Sequence, residues 1–165
     1  MGVNIVLIGL MGAGKTTVGK ALAKLLKSYK FVDIDAEIEK KENKKIVDIF
    51  KEKSEKYFRE IETEVIQEVV QKQNQIISIG GGAFEKKENR KLLMSNGIVF
   101  YLRAGVNELY ERIKGDTLRP LLDCADPRGR LQFLLNQREK NYKKAHFIIN
   151  TENKTIDKPA KIQNY

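Results

Sequence analysis

One cysteine and one histidine in 165 residues narrow the chemistry open to this chain. Cys124 has no partner for an internal disulfide, which fits a reducing, cytoplasmic setting. It reads as a loop residue rather than a nucleophile, because no motif links it to His146. His146 in turn reads as a packed or surface histidine rather than a catalyst. No apolar run approaches the roughly 18 residues of a transmembrane helix, so no membrane partner is expected. The N-terminus has no apolar stretch leading to a small-residue cleavage site, so no secretory leader is expected. Internal repeats and low-complexity linkers are also missing, and the length suits a single domain spanning residues 1–165.

Charge is plentiful but unbalanced. Lysine and arginine number 31 against 22 acids, a formal net charge of +9. Much of it is lysine scattered among glutamates, as from Glu37 to Lys45, the pattern of a solvated helix surface. Basic residues are not interleaved with aromatics as in single-strand binders, so nucleic acid is not an expected partner. Small anionic substrates suit the charge better.

The most informative stretch is Gly9-Leu10-Met11-Gly12-Ala13-Gly14-Lys15-Thr16-Thr17. It follows the apolar run Ile5–Ile8 and precedes a helical periodicity at Val18, Ala21, Leu22, Leu25 and Leu26. Strand, glycine-rich turn and helix are the context that the G-x-x-x-x-G-K-[ST] phosphate-binding pattern needs. Glycines let successive N–H groups point inward as an anion nest, and the helix start adds its positive dipole end. Lys15 would reach the β- and γ-phosphates and the Thr16 hydroxyl would ligate Mg²⁺. A glycine-rich turn with a polar cap is the plain alternative.

Short apolar runs alternate with amphipathic segments along the rest of the chain, which predicts an α/β fold with a mostly parallel sheet. Strands are expected at 4–8, 31–34, 76–79, 98–102 and 147–149. Helices are expected at 15–28, 36–41, 46–52, 55–73, 86–95, 106–114 and 128–144, with a last short one from about Thr155.

Asp33 and Asp35 close the second strand, where open α/β sheets bind ligands. An extended strand would aim them to opposite sides, one toward a metal and one toward a second substrate. Alternatively, Asp35 caps a helix starting at Ala36. Arg59 and Glu62 share a helix face beside the stripe Phe58, Ile61, Val65 and Val69. They read as a surface ion pair, or as an arginine fork for a substrate carboxylate steadied by Glu62. The triplet Gly80–Gly82 leaves the third strand with backbone bare enough for a ligand to approach. The breaker-rich segment 114–126 reads as a mobile lid whose arginine could swing onto a phosphate, or as a surface loop. Arg138 and Tyr142, four apart, read as local packing.

Together these elements resemble the shikimate kinase family, in its order and at its distances, from Asn4 to about Asn153. The glycine loop, the D-I-D of Asp33 to Asp35, the I-V-D-I-F of Ile46 to Phe50, the E-x-x-F-R-x-x-E of Glu55 to Glu62, Gly80–Gly82, the T-L-R-P-L-L of Thr117 to Leu122, and Arg138 with Tyr142 carry the likeness. It implies a P-loop NTPase fold: a three-layer αβα sandwich with a five-stranded parallel sheet, a substrate-binding helical insertion at about 35–62 and a mobile lid. It also implies phosphoryl transfer from ATP to the 3-hydroxyl of shikimate, on the way to chorismate and the aromatic amino acids. One Mg²⁺ per subunit, held by Thr16 and through water by Asp33, and a monomeric cytoplasmic protein are implied as well.

Site roles follow from the same resemblance. ATP would be held by Gly12, Ala13, Gly14, Lys15, Thr16 and Thr17, with Arg112 stacking on adenine and Asn153 and Lys154 beside it. Lys15 and Arg119 would neutralise the transferring phosphoryl group. Asp35 would hold the attacking hydroxyl and take its proton. Arg59 and Arg138 would grip the shikimate carboxylate, with Glu62 orienting Arg59, Gly81 and Gly82 completing the pocket, and Phe58 packing on the ring. Ser54 departs from the family's usual glycine at a turn between helices. A gluconate or nucleoside monophosphate kinase, a non-catalytic nucleotide-binding module and a nucleic-acid binder are the rival readings. Convergence of Asp35, Arg59 and Arg138 is what separates the first of these.

Overall fold

The apolar runs become strands because helices cover both faces of the sheet they form, so residues on either side of each strand are buried. The structure, a computed structural model, describes residues 2–115, 124–154 and 162–163. The elements run β1 (Asn4–Ile8), α1 (Lys15–Leu25), β2 (Lys30–Asp33), α2 (Ile34–Glu42), α3 (Ile46–Glu52), α4 (Glu55–Val70), β3 (Gln75–Ser78), α5 (Lys87–Asn96), β4 (Gly97–Arg103), α6 (Val106–Ile113), α7 (Pro127–Tyr142), β5 (Phe147–Asn150) and β6 (Ile162–Gln163). A single 3₁₀ turn, Ala83–Glu85, follows the glycine triplet.

The sheet order is β2-β3-β1-β4-β5-β6. The first five strands are parallel, as expected, and β6 adds a sixth, antiparallel to β5, that the sequence reading lacks. Two residues in a polar tail show no readable period. The helix expected from Thr155 starts on residues outside those described. His146 serves the sheet: its Nδ1 accepts from the Val99 amide at 3.0 Å and ties the start of β5 to β4.

β1 lies between β3 and β4, the place where the strand order reverses and such sheets bind ligands. Register brings the exits together. Ser78 pairs with Asp33 on one side and Leu7 on the other, so the loop after β1, the acid ending β2 and the glycine turn after β3 leave the sheet at one level. β2 ends at Asp33 and not at Ile34, because Asp33 turns its carboxylate onto the Asp35 amide at 3.1 Å and caps α2. That corrects the expected geometry: Asp35 stands in the first helical turn, not across a strand from Asp33, and Asp33 is the cap.

α4 forms because its stripe Phe58, Ile61, Val65, Ile66 and Val69 recurs at helical spacing and is buried in the core. Each such side chain stabilises the fold by about 1.5–3 kcal/mol. The helix starts at Ser54, whose hydroxyl accepts from the Tyr57 amide at 3.1 Å. It ends at Val70, short of the expected residue 73. Ser54 is thus the N-cap of α4. Ser54→Ala should cost about 1 kcal/mol in urea unfolding, and an unchanged midpoint would contradict the cap.

Candidate active site

α1 begins at Gly14, whose φ of 89° is left-handed, and no side chain caps the helix. The first-turn amides of α1 therefore face the loop as anion donors, and no carboxylate stands in that turn to compete. Gly9 has a φ of 147°, and a Cβ there would lie 2.6 Å from the Leu102 carbonyl oxygen, so only glycine fits. Lys15 folds onto this loop, its Nζ donating to the carbonyls of Gly9 at 2.9 Å and Leu10 at 3.1 Å. The Thr16 hydroxyl donates to Asp33 Oδ2 at 3.0 Å. One carboxylate thus joins the phosphate loop to the start of α2 and Asp35. Thr16 and Thr17 are exposed at the loop mouth.

Arg59 and Glu62 do not form a surface pair. Glu62 is 0% exposed, and its Oε2 accepts from Arg59 Nη1 at 2.8 Å. A second carboxylate, Glu55, holds Nη2 at 3.2 Å. The guanidinium lies over the Phe58 ring, 5.0 Å from its centroid. Phe58 itself is buried beside Phe50, so in this structure it supports Arg59 from beneath. The glycine turn fits around these groups. A Cβ at Gly82 would strike Arg59, and one at Gly80 would lie 3.1 Å from both Asp35 Oδ1 and Glu62 Oε1. Asp35 and Glu62 therefore converge above Gly80.

A cavity of about 410 Å³ opens here, lined by Glu55, Arg59, Gly82, Glu85, Arg138 and Lys140, with Asn136 and Gln137. Its size suits a small ligand. The structure thus brings Arg59 and Arg138 to one cavity, with Asp35 adjoining through Gly80. A larger cavity of about 710 Å³ lies between α6 and the loop after β5, lined by Glu108, Arg112 and Asn153 among others. Arg112 donates to the Gly12 carbonyl at 3.1 Å, the Thr151 carbonyl at 2.9 Å and Glu108 at 2.5 Å. Glu108 also accepts from the Asn153 amide. Lys154 is exposed, its amide bonded to the Thr151 carbonyl. Arg119 and lid residues 116–123 lie outside the described residues.

Sequence reasoning gave Glu55 no role beyond its place in a motif and missed Glu108, although each stands four residues before its arginine, a spacing that signals a helical ion pair. It also missed the role of Gly80, which only the fold reveals.

Burial pushes the Glu62 carboxyl up to about 7, against the pull of Arg59. Asp35 adds to the rise and Arg138 opposes it. Burial alone would lower the Arg59 pKa, but Glu62 and Glu55 hold it above its ordinary value.

A largely parallel sheet with this loop at its switch point defines a P-loop nucleotide-binding protein, built to hold a nucleotide's phosphates. The match to known proteins is more specific. The family model for shikimate kinase matches residues 11–163. Shikimate kinases of Thermodesulfovibrio yellowstonii and Persephonella marina are 46% and 45% identical. Those alignments cover 95% and 92% of this chain and 90% and 91% of theirs. The chain belongs to the shikimate kinase family.

Solved structures agree. Shikimate kinase from Acinetobacter baumannii in complex with shikimate superposes with a TM-score of 0.91 at 40% identity, over 94% of this chain and 87% of that one. The Aquifex aeolicus enzyme gives 0.77 at 35%, over 95% and 89%. A gluconokinase from Sinorhizobium meliloti, at 17% identity and a TM-score of 0.55, shares the fold alone.

The raised Glu62 pKa has a stability consequence. The folded chain holds this proton more tightly than the unfolded one, between the ordinary 4.5 and about 7. Stability from Glu62 is therefore full below the lower value and is lost as pH rises through the upper one. The melting temperature of the wild type, relative to Glu62→Gln, should fall from about pH 4.5 to about pH 7.5. Parallel profiles would contradict this.

Proposed function

We propose that the chain transfers the γ-phosphoryl group of ATP to the 3-hydroxyl of shikimate through the residues described above. The observation that carries the reading is Arg59 and Arg138 facing one small cavity, with Asp35 beside it and the phosphate loop joined to Asp35 through Asp33. Two arginines suit a carboxylate. Asp35 then meets the ring hydroxyl, directs it and accepts its proton as the O–P bond forms and the bond to the ADP oxygen breaks. Glu62 and Glu55 fix the Arg59 fork before substrate arrives, so little ordering is needed on binding. Gly81 and Gly82 wall the pocket, and Phe58 bears on the ring through its contact with Arg59.

On the nucleotide side the amides of Gly12, Ala13, Gly14, Lys15, Thr16 and Thr17 cradle the phosphates. Lys15 exchanges its loop carbonyls for the β- and γ-phosphates. Arg112, placed by Glu108, faces adenine, with Asn153 and Lys154 beside it. Arg119, outside the described residues, would neutralise charge on the transferring group, and residues 35–62, from α2 into α4, form the acceptor-binding insertion of a single domain.

The Thr16 hydroxyl and Asp33 carboxylate are hard oxygen donors at the loop mouth and fit one Mg²⁺, Asp33 through water. Bound there, Mg²⁺ would neutralise charge between the β- and γ-phosphates. No helix among the described residues is long and apolar enough to cross a membrane. The chain acts as a cytoplasmic monomer on this reading, without membrane or nucleic-acid partners.

A coupled ADP-release assay across shikimate, gluconate and nucleoside monophosphates tests the acceptor. Turnover is expected with shikimate alone, and none with shikimate would overturn the reading. Arg59→Ala should raise the shikimate KM at least about tenfold while leaving the ATP KM near its wild-type value. An unchanged shikimate KM would remove Arg59 from the carboxylate fork.

A further inference from the structure

Tyr142 stands 61 residues beyond Gly81 in sequence and donates its phenol hydrogen to the Gly81 carbonyl. It is 0% exposed, and its ring packs 5.1 Å from that of Tyr101. The Arg138 side chain, one helical turn earlier on α7, lies beside the same phenol oxygen, on the same side of Gly81. The three groups meet at one point. A Cβ at Gly81 would lie 3.2 Å from Arg138 Nη1 and 3.2 Å from Tyr142 Oη. A phenol has one hydrogen to give, so donating it to Gly81 leaves its lone pairs to receive Arg138, in a fixed direction.

We infer that Tyr142 is a positioning residue for the acceptor, holding the Arg138 guanidinium against the Gly81 turn so that it faces the acceptor carboxylate. The inference rests on the acceptor reading proposed above. The chemistry of the two arginines differs in a way that supports it. Arg59 is held by two carboxylates, which share its charge. Arg138 has a neutral phenol beside it at the Gly81 turn, a group that can orient the guanidinium without neutralising it. Arg138 is itself only 8% exposed, so its charge is desolvated and acts strongly on an anion that enters the cavity it lines. Burial raises the Tyr142 pKa, so the phenol remains a donor at working pH. The bond also crosses the site: it joins α7 to the exit of β3, fixing the spacing between the arginine and the glycine turn.

Tyr142→Phe keeps the ring and removes only the hydroxyl. The shikimate KM should rise about tenfold, the cost of leaving a buried guanidinium and carbonyl without their partner. The ATP KM should stay unchanged, and Arg138→Lys should also raise the shikimate KM. The double variant should be no worse than Arg138→Lys alone, since both changes break one linkage.

An unchanged shikimate KM in Tyr142→Phe, or KM effects that multiply in the double variant, would overturn the inference. So would a lower kcat with both KM values unchanged, the mark of a packing role. If Arg138→Lys leaves the shikimate KM unaltered, the acceptor reading itself falls, a result distinct from failure at Tyr142. Should Tyr142→Phe not fold, the wild-type chain labelled with ring-¹³C tyrosine gives the answer. A buried tyrosine resonance should shift on adding shikimate and not on adding ADP, and no shift at saturating shikimate would overturn the inference.

Discussion

A carboxylate with no exposure, set among the apolar residues of α4, is the constraint around which the acceptor side is built. Burying Glu62 is costly unless a cation and hydrogen bonds meet it. Arg59, one helical turn earlier, meets one oxygen at 2.8 Å. The other oxygen faces Gly80 together with Asp35, where any side chain on the turn would intrude. The arginine is in turn held by Glu55 and by the Phe58 ring beneath it. Its guanidinium is thus fixed before any ligand arrives, while it still lines the cavity. Removing the cation would leave an uncompensated buried charge, which is why this pair differs from an exposed one of the same spacing.

A second carboxylate does the corresponding work between the two halves. Asp33 accepts from the Thr16 hydroxyl with one oxygen and from the Asp35 amide with the other. The phosphate loop and the start of α2 therefore share a single anchor. The level at which β1, β2 and β3 end brings that anchor beside the glycine turn. On the proposed reading this is how a γ-phosphate and a ring hydroxyl come into line: one side chain registers donor against acceptor. A similar pinning operates at the other end of the loop, where Arg112 bridges the Gly12 and Thr151 carbonyls and Glu108 holds Arg112.

What could be read in the sequence follows the range of the interactions. The phosphate loop is nine consecutive residues whose glycines, lysine and threonine act locally, so its strand, turn and helix were legible. The five parallel strands were legible too, because continuous apolar runs mean burial on both faces. Arg59 and Glu62 could be placed on one helix face, but not inside or outside, since Glu62 lies next to the apolar stripe and only packing decides which way that edge turns. The end of β2 was misplaced by one residue because a side chain, Asp33, terminates the strand by capping the next helix. The meetings of Gly80 with Asp35 and Glu62, of Tyr142 with Gly81, and of Glu108 with Asn153 join residues distant in sequence, and no local pattern encodes them. β6 has two residues and no period to detect.

The most direct test of the account is a crystal structure of this chain with shikimate bound. The account predicts the carboxylate within hydrogen-bond distance of both Arg59 and Arg138, and a ring hydroxyl on Asp35 facing the phosphate loop. A shikimate whose carboxylate lies away from both arginines, or whose hydroxyls do not reach Asp35, would contradict it.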